Sequence, residues 1–276
     1  MIRIVFGILS LFLLAGAGKV ENNSIKSKDT FCNLTNVSFQ NAESLVYKVY
    51  YNLNMIWIPA AEVEMLINEN QFDYEVKVYA KSYPAYDNFF RVRDYFYSRF
   101  DKINVKPKEF VRIIEERSYR KFDSIYFDYP AGKAFFYNGK FRHEAKKSSM
   151  DLHSCVHDLL SSMYCLRNVN KDHYKVGDEI EVDVLMDRER MPIKVKYGGI
   201  EKNKKIKELG KFSTLRVEPT LLEGEVFGKG GEMKIWVTDD DNKIPLLIET
   251  PVRVGSVKAV LKSWKNLRNP SELDKL

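Results

Sequence analysis

The side chains that could do chemistry are concentrated in one segment, DLHSCVHDLLSSMYCLRN at 151–168. It holds two of the four histidines and two of the three cysteines in the 276-residue chain. Histidine and cysteine side chains can bind zinc, and a cysteine beside a histidine base can act as a nucleophile. The segment therefore has to be judged as a metal site, a catalytic Cys/His pair, a disulfide or a packed helix.

The spacing of its apolar residues predicts that 151–167 is an amphipathic helix. These residues recur at steps of three and four along one stripe: Leu152, Val156, Leu159, Met163 and Leu166. At about 100° per residue, Cys155 would lie on the opposite side of this helix from His153 and His157, so neither histidine could serve as its base. A zincin motif also requires Glu after the first histidine, where Ser154 stands. We therefore predict no metal and no catalytic residues here, and a helix that packs into a curved sheet.

The three cysteines leave the disulfide pattern open. On a regular helix Cys155 and Cys165 would be about 15 Å apart along the axis, beyond the roughly 7 Å between Cα atoms that a disulfide allows. Cys32 could pair with either of them, and the sequence does not decide which.

From Leu45 onward apolar and polar residues alternate, which is the pattern of strands with one buried face. About a dozen such segments, LVYKVYYNL (45–53) and FDYEVKVYAKS (72–82) among them, are separated by turns containing Pro, Gly, Asn or Asp. Short connections favour antiparallel pairing, and so many strands must curl or split into two layers. We predict a mostly β fold: a strongly curved antiparallel sheet or half-barrel of about a dozen strands with one main amphipathic helix.

The N-terminus has the features of a signal peptide. Arg3 precedes an apolar run that ends at Leu14, and small residues follow. The run is too short to span a bilayer comfortably, and no Cys follows it that could carry a lipid anchor. We predict an exported, periplasmic protein that does not span a membrane, divided into a signal peptide (1–18), a flexible leader (19–44) and a single β-rich domain (45–268).

Composition and motifs exclude several function classes. The net charge is +6, but 38 acidic residues accompany 44 basic ones, so we expect a mixed solvated surface and no nucleic-acid partner. No P-loop, dinucleotide-binding glycine pattern or GxSxG motif occurs, so no cofactor is predicted. The aspartates of VTDDDNKIP (237–245) lack EF-hand spacing, and we interpret this stretch as a hairpin turn rather than a calcium loop.

The stretch YPAYDNFFRVRDYFYSRFD (83–101) interleaves arginines with aromatic residues. A strand of this kind can place aromatics on one face and arginines on the other, and an aromatic face inside a curved sheet can form an apolar pocket. A plain aromatic core is the alternative. If the pocket exists, we predict that it is lined by Phe89, Tyr95, Tyr97 and Trp236, with Arg91 and Arg93 at the rim facing an acidic headgroup.

Four stretches resemble domain-of-unknown-function family 3108, which comprises exported proteins frequent in Bacteroidetes. They are RVRDYFYSRFDKINVKPKEF (91–110), DLLSSMYCLRN (158–168), VKYGGIEKNKKIKELGKFSTLRVEP (195–219) and GEMKIWVTDDDNKIPLLIETPVRVGSVKAVL (231–261). The family has no established activity, so the resemblance assigns no catalytic residues. It implies export and a mostly β domain similar in shape to the curved half-barrels of periplasmic lipid and lipoprotein carriers.

Two classes of function follow from these observations, with a third as an alternative. The first is non-enzymatic binding of an apolar or amphipathic envelope ligand, a lipid or glycolipid, in the curved sheet. The second is an envelope glycoside hydrolase that uses two carboxylates across a cleft. A cell-envelope assembly factor working through a sheet edge is the third. The sequence identifies neither the ligand nor the oligomeric state.

If the N-terminal segment is a signal peptide, the protein isolated from its native host lacks the first 17 or 18 residues, because cleavage would follow Ala17 or Gly18. N-terminal sequencing of protein from the periplasmic fraction checks this. An intact Met1 in the cytosolic fraction would contradict it.

Overall fold

The computed structural model describes residues 34–53, 56–152, 155–220, 233–252 and 255–276. Fourteen strands in these ranges form one sheet. They are β1 (Ser44–Leu53), β2 (Ile56–Glu69), β3 (Asp73–Ser82), β4 (Arg93–Asp101), β5 (Pro107–Glu116), β6 (Tyr119–Asp128), β7 (Lys133–Gly139), β8 (Lys146–Asp151), β9 (Glu179–Met186), β10 (Glu189–Ile206), β11 (Gly210–Pro219), β12 (Lys234–Thr238), β13 (Pro245–Pro251) and β14 (Ser256–Lys265).

The described helices are few and short. A single helical turn, α1 (Asp87–Phe90), precedes β4, and the main helix, α2 (Leu159–Arg167), lies between β8 and β9. No helix in the described part of the chain is long and apolar enough to cross a bilayer.

The strand order is β8-β7-β6-β5-β4-β3-β2-β1-β14-β13-β12-β11-β10-β9, and all neighbouring pairs are antiparallel. The first and last strands pair at the centre, so the two edges are β8 and β9, which follow each other in the chain. No pairing between β8 and β9 occurs among the described residues, so the sheet is open. The predicted mostly β, antiparallel fold is confirmed.

Contacts across the sheet establish its curvature. Helix α2 packs against both β4 and β9, which are nine positions apart in the strand order. In a flat sheet with about 4.8 Å between strands, those two strands would be roughly 43 Å apart. The sheet must therefore curl strongly, and its concave side encloses α2.

An ion-pair network joins the two halves of the curled sheet. Arg112 on β5 donates to Asp187, on the β9–β10 turn, at 2.5 Å, and it also binds Asp123 on β6 through Nε at 2.6 Å. Lys121 approaches Asp187 at 2.5 Å, and Asn138 donates to Asp123 at 2.7 Å. Both Arg112 and Asp123 are buried, so this network acts where water is largely excluded.

The start of the main helix corrects the sequence prediction, because α2 begins at Leu159 and not at 151. Asp158 caps the helix: its Oδ1 accepts from the backbone N–H groups of Leu160 and Ser161 at 2.8 and 3.0 Å. The preceding residue, His157, pairs with β9 through its backbone, donating to Asp183 O at 2.9 Å and accepting from Leu185 N at 2.8 Å. Pairing with the β9 edge thus outcompetes the helical spacing of Leu152 and Val156.

Part of the predicted flexible leader is ordered. Phe39 is fully buried and makes edge-on ring contacts with Tyr74 and Tyr164, with centroids 5.2 and 4.8 Å apart. Asn36 is also buried and donates to Phe39 O at 2.9 Å. The polar composition of this segment led to the prediction of a flexible leader, but Phe39 packs into the core. The C-terminal residues beyond 268 also pack, since Leu273 is only 1% exposed.

Removal of the charge at Asp187 tests whether the network holds the two halves together. Asp187→Asn keeps a residue that tolerates the positive φ of 51° found there and removes the ionic contact to Arg112 and Lys121. We expect a loss of about 1.5–3 kcal/mol in the free energy of unfolding, the range for hydrogen bonds to charged groups.

The control is Asp151→Asn, which removes an exposed ion pair with Lys133 and should cost less than about 0.5 kcal/mol. Urea unfolding at pH 7 measures both variants. Equal stability of the two variants would show that the network does not hold the curl.

Candidate ligand-binding site

A cavity of about 170 Å³ lies on the concave side between α2 and the strands β9–β14, β1 and β2. Its wall is mostly aliphatic and aromatic. The apolar residues lining it are Leu45, Tyr47, Val63, Met65, Leu159, Met163, Tyr164, Leu166, Val169, Tyr174, Ile180, Val182, Val184, Ile193, Val195, Tyr197, Leu215, Val217, Pro219, Ile235, Val237, Pro245, Ile248 and Ala259.

Strand register explains why these side chains converge. Ile180 lies opposite Val195 and Val182 lies opposite Ile193, so alternate residues of β9 and β10 point to the same face. Val217 continues this row on β11, opposite Tyr197. Several of the lining residues, Val217 and Tyr197 among them, are only half-buried, so the cavity opens to solvent.

Three cations line the cavity, and no acidic residue does so among the described lining residues: the cations are Arg167, Lys171 and Lys243. The guanidinium group of Arg167 is already bound by protein groups. It makes a two-point ion pair with the buried Glu43, at 2.6 and 2.8 Å, and it also donates to Asn242 O at 2.9 Å and Ser38 O at 3.1 Å. Lys171 is paired with Asp239.

The VTDDDNKIP stretch forms the turn that carries Lys243, as the hairpin interpretation predicted. Asp240 Oδ1 accepts from the backbone of Asn242 at 3.0 Å and of Lys243 at 3.2 Å. Thr238 Oγ1 accepts from Ile244 N at 2.9 Å. These local bonds hold Lys243 at a φ of 47°, and burial lowers the pKa of its ammonium group.

Five of the six residues that the sequence suggested as ligand contacts are described by the structure, and none of these five lines the cavity. Tyr95 and Tyr97 lie on the face of β4 opposite to the buried Phe96 and Phe100, and Arg93 is on the same face as the two tyrosines. Arg93 is paired with Asp87 at 2.5 Å, and Arg91 is exposed. The side chain of Phe89 lies outside the described residues.

Trp236 is buried, but on the outer face of β12. Its Nε1 donates to Glu201 at 2.9 Å, and Lys204 lies over its ring at 3.5 Å from the centroid. Its neighbours Ile235 and Val237 are the β12 residues that line the cavity. The role of the six suggested residues in ligand contact stays a prediction, and the structure brings none of the five described ones together with the cavity.

Two features of the sequence could have predicted some of the cavity residues. Ile235 and Val237 alternate with Trp236, so the opposite parity would have selected them. Lys243 follows the triple-aspartate turn, which the sequence analysis had identified as a hairpin. No signal within the sequence indicated that these residues would meet Leu159 and Met163 of α2.

The histidine and cysteine segment contributes structure rather than an exposed reactive group. His157 is 3% exposed, and burial lowers its pKa to about 4, so it is neutral at physiological pH. Cys155 is disulfide-bonded, whereas Cys165 is a buried thiol whose pKa burial raises to about 12. Cys32 and His153 lie outside the described residues.

A carboxyl pair lies elsewhere on the sheet. Asp94 on β4 and Glu116 on β5 hydrogen-bond to each other through their side chains, and Asp94 Oδ1 also accepts from Glu115 N at 2.9 Å. Burial is the main cause that raises the pKa of both carboxyls. Repulsion by Asp94 and the hydrogen bond to it raise the pKa of Glu116 further, whereas the hydrogen bonds of Asp94 and the charge of Arg112 act in the opposite direction on Asp94. Neither carboxyl lines the cavity.

Comparison with known proteins gives a family and a fold. A family model described as a protein of unknown function (DUF3108) matches residues 46–262. The crystal structure of a β-barrel-like protein of domain of unknown function DUF1849 from Brucella abortus is similar, with a TM-score of 0.54 and 9% identity over 83% of this chain and 99% of that chain. A Bacteroides fragilis protein with a YmcC-like fold aligns over 85% of this chain and 100% of that chain, at 11% identity and a TM-score of 0.32. Curated proteins give no match.

The carboxyl pair predicts a specific pH dependence. Because the pKa is raised in the folded state, the native protein holds a proton that the unfolded chain releases, so the free energy of unfolding falls as pH rises from the ordinary carboxyl pKa near 4 through the raised values. Asp94→Asn removes the repulsion and should flatten this fall.

Urea unfolding of wild type and Asp94→Asn at pH 5 and pH 8 measures the difference. Asp151→Asn, at an exposed site, is the control and should keep the wild-type slope. A wild-type slope that persists in Asp94→Asn would contradict the assignment.

Proposed function

The chain belongs to the DUF3108 family of proteins of unknown function, and we propose that it binds an apolar or amphipathic ligand in the cavity beside α2, without catalysing a reaction on it. The observation that carries this proposal is the apolar wall of a solvent-open cavity in the concave side of the sheet. Apolar surface that stays wet costs roughly 25 cal/mol per Å², so a ligand that covers it gains affinity.

The dimensions of the cavity suit a ligand with a narrow apolar part. Its volume of about 170 Å³ is close to the ~150 Å³ of an apolar cavity that stays dry and binds benzene. Binding costs translational and rotational freedom, and buried apolar surface must exceed that cost. We therefore expect the affinity to rise with the length of the apolar part that contacts the wall.

The exported location proposed from the signal-peptide pattern is supported by one side chain. Cys155 is disulfide-bonded, and disulfides persist in oxidising compartments such as the periplasm. An envelope lipid is therefore the class of ligand that the protein would meet.

Neither alternative function gains support from the site geometry. Glycosidase carboxyl groups stand about 5–9.5 Å apart with the scissile bond between them, whereas the side chains of Asp94 and Glu116 hydrogen-bond directly to each other. An assembly role through a sheet edge would need an edge strand whose backbone groups are free to pair with another chain. The β9 edge is paired with His157, and β8 is a short strand that begins with two lysines, a sequence that discourages strand addition.

A cavity-filling substitution tests the proposal. Val217→Trp places an indole at the half-buried cavity wall, and we expect it to weaken binding of the fluorescent apolar probe N-phenyl-1-naphthylamine by about tenfold or more, since the probe and the indole compete for the same volume. Fluorescence titration measures the change.

Val111→Trp, at a half-buried position on the face of β5 away from the cavity, is the matched control and should bind like wild type. Native mass spectrometry of protein from its own host should also detect a co-purified lipid. Equal probe binding by both variants, or no binding by wild type at tens of micromolar, would sink the proposal.

A further inference from the structure

We propose that the ligand is a single-chain amphiphile with an anionic headgroup, bound with its head at Lys243 and its chain along the apolar wall. This inference rests on the proposed function and narrows it. Three observations support it. Lys243 has no ionic partner among the described residues, the cations lie at one end of the cavity, and the cavity is small.

The first observation is the difference among the three cavity cations. Arg167 is neutralised by Glu43 in a buried two-point ion pair, and Lys171 is paired with Asp239. In the part of the chain that the structure describes, the ammonium group of Lys243 has no ion-pair or hydrogen-bond partner. Asp240 and Asp241 lie nearby on the same turn, but Asp240 accepts from backbone N–H groups, Thr238 and Ser271, and Asp241 is exposed.

A half-buried ammonium group without an ionic partner is costly. Burial disfavours its charge. Asp241 and Asp240 on the same turn favour the charge at a distance, while Arg167 and Lys171 disfavour it by repulsion. An anion placed beside Lys243 would offset the burial and the repulsion. Among the described lining residues none is an anion, so an acidic ligand would give Lys243 the ion-pair partner that the cavity wall lacks.

The second observation is that the cations lie at one end of the cavity. Lys243 stands on the turn that joins β12 and β13, and Lys171 is tied to the same turn through Asp239. The wall then runs along the strands away from this turn, through Ile235 and Ile248 to Pro219. From the level of Thr238 to the level of residue 233 is about 17 Å at 3.3 Å per residue, which is enough for an extended alkyl chain.

The third observation is the narrow volume. A cavity of about 170 Å³ is below the ~300–1,000 Å³ of typical ligand pockets, so it favours one narrow chain over several, and part of that chain would lie along the open side of the cavity. A single chain with a small acidic head matches both the shape and the charge. Carboxylate and phosphate heads share this chemistry, and the experiment separates them.

The experiment compares three ligands of equal chain length, dodecanoic acid, dodecyl phosphate and dodecanol, as displacers of N-phenyl-1-naphthylamine at pH 7.5. Wild type should bind at least one of the two anions about tenfold tighter than the alcohol, because an ion pair with Lys243 forms only with an anion. The stronger of the two anions identifies the headgroup class.

Lys243→Gln should abolish the preference for the anion while leaving dodecanol affinity within about twofold, since the apolar wall is untouched. Lys243→Arg should keep the preference, and it shows whether a loss in Lys243→Gln reflects charge rather than misfolding. Lys205→Gln, at an exposed position away from the cavity, is the charge-matched control and should behave as wild type.

The outcomes separate the two proposals. If wild type binds the alcohol and both anions equally, or if Lys243→Gln keeps the preference, the anionic headgroup is overturned and apolar binding stands. If none of the three ligands displaces the probe and the probe itself does not bind, the proposed function fails as well.

Discussion

The carboxylate of Asp158 and the backbone of His157 form the clamp on which the rest of the structure depends. Asp158 caps α2 through Oδ1 and accepts from Ser98 on β4 through Oδ2 at 2.7 Å. His157 pairs its backbone with Asp183 and Leu185 on β9. Two consecutive residues thus attach the start of α2 to β4 in one half of the sheet and to β9 at the edge of the other half. Because β8 and β9 are consecutive in the chain yet at opposite edges, the connection between them has to cross the concave side, and the clamp fixes where it crosses.

The position of the helix in turn decides which charges the cavity exposes. The C-terminal turn of α2 carries Arg167 into the interior, where an unpaired guanidinium would be strongly destabilising. Glu43, directly before β1, meets it, and Asn242 and Ser38 satisfy further N–H groups. This arrangement places the triple-aspartate turn beside the helix end, and it leaves Lys243 of that turn at the cavity wall. The cationic end of the cavity is therefore a consequence of how the helix end is neutralised.

The alternation of apolar and polar residues predicted the strands, their antiparallel pairing and the curvature, because these depend on local pattern and on strand number. The face that each strand buries was harder to predict. On β4 both faces are aromatic, with Phe96 and Phe100 inside and Tyr95 and Tyr97 outside. Hydrophobicity alone cannot choose between such faces. The hydroxyl groups could have helped, since a buried tyrosine needs a partner for its O–H and a phenylalanine needs none. The predicted helix was too long for a different reason. Its first residues match helical spacing, but the backbone of Leu152 bonds to Gly132 and that of His157 pairs with the β9 edge, and both are contacts distant in sequence.

The separation of charge types within the molecule is the reason why we propose binding rather than catalysis at this site. The carboxyl pair, buried Asp94 and half-buried Glu116, shares a hydrogen bond and lies outside the cavity. His157 uses its backbone for strand pairing while its buried ring stays neutral. Among the described residues that line the cavity none is a carboxylate or a histidine, so the paired carboxyl groups of a glycosidase are not found there. What remains is an apolar wall with a cationic end. The proposed ligand would be recognised on such a wall by its length and by the sign of its head, and these are the properties that distinguish one amphiphile from another.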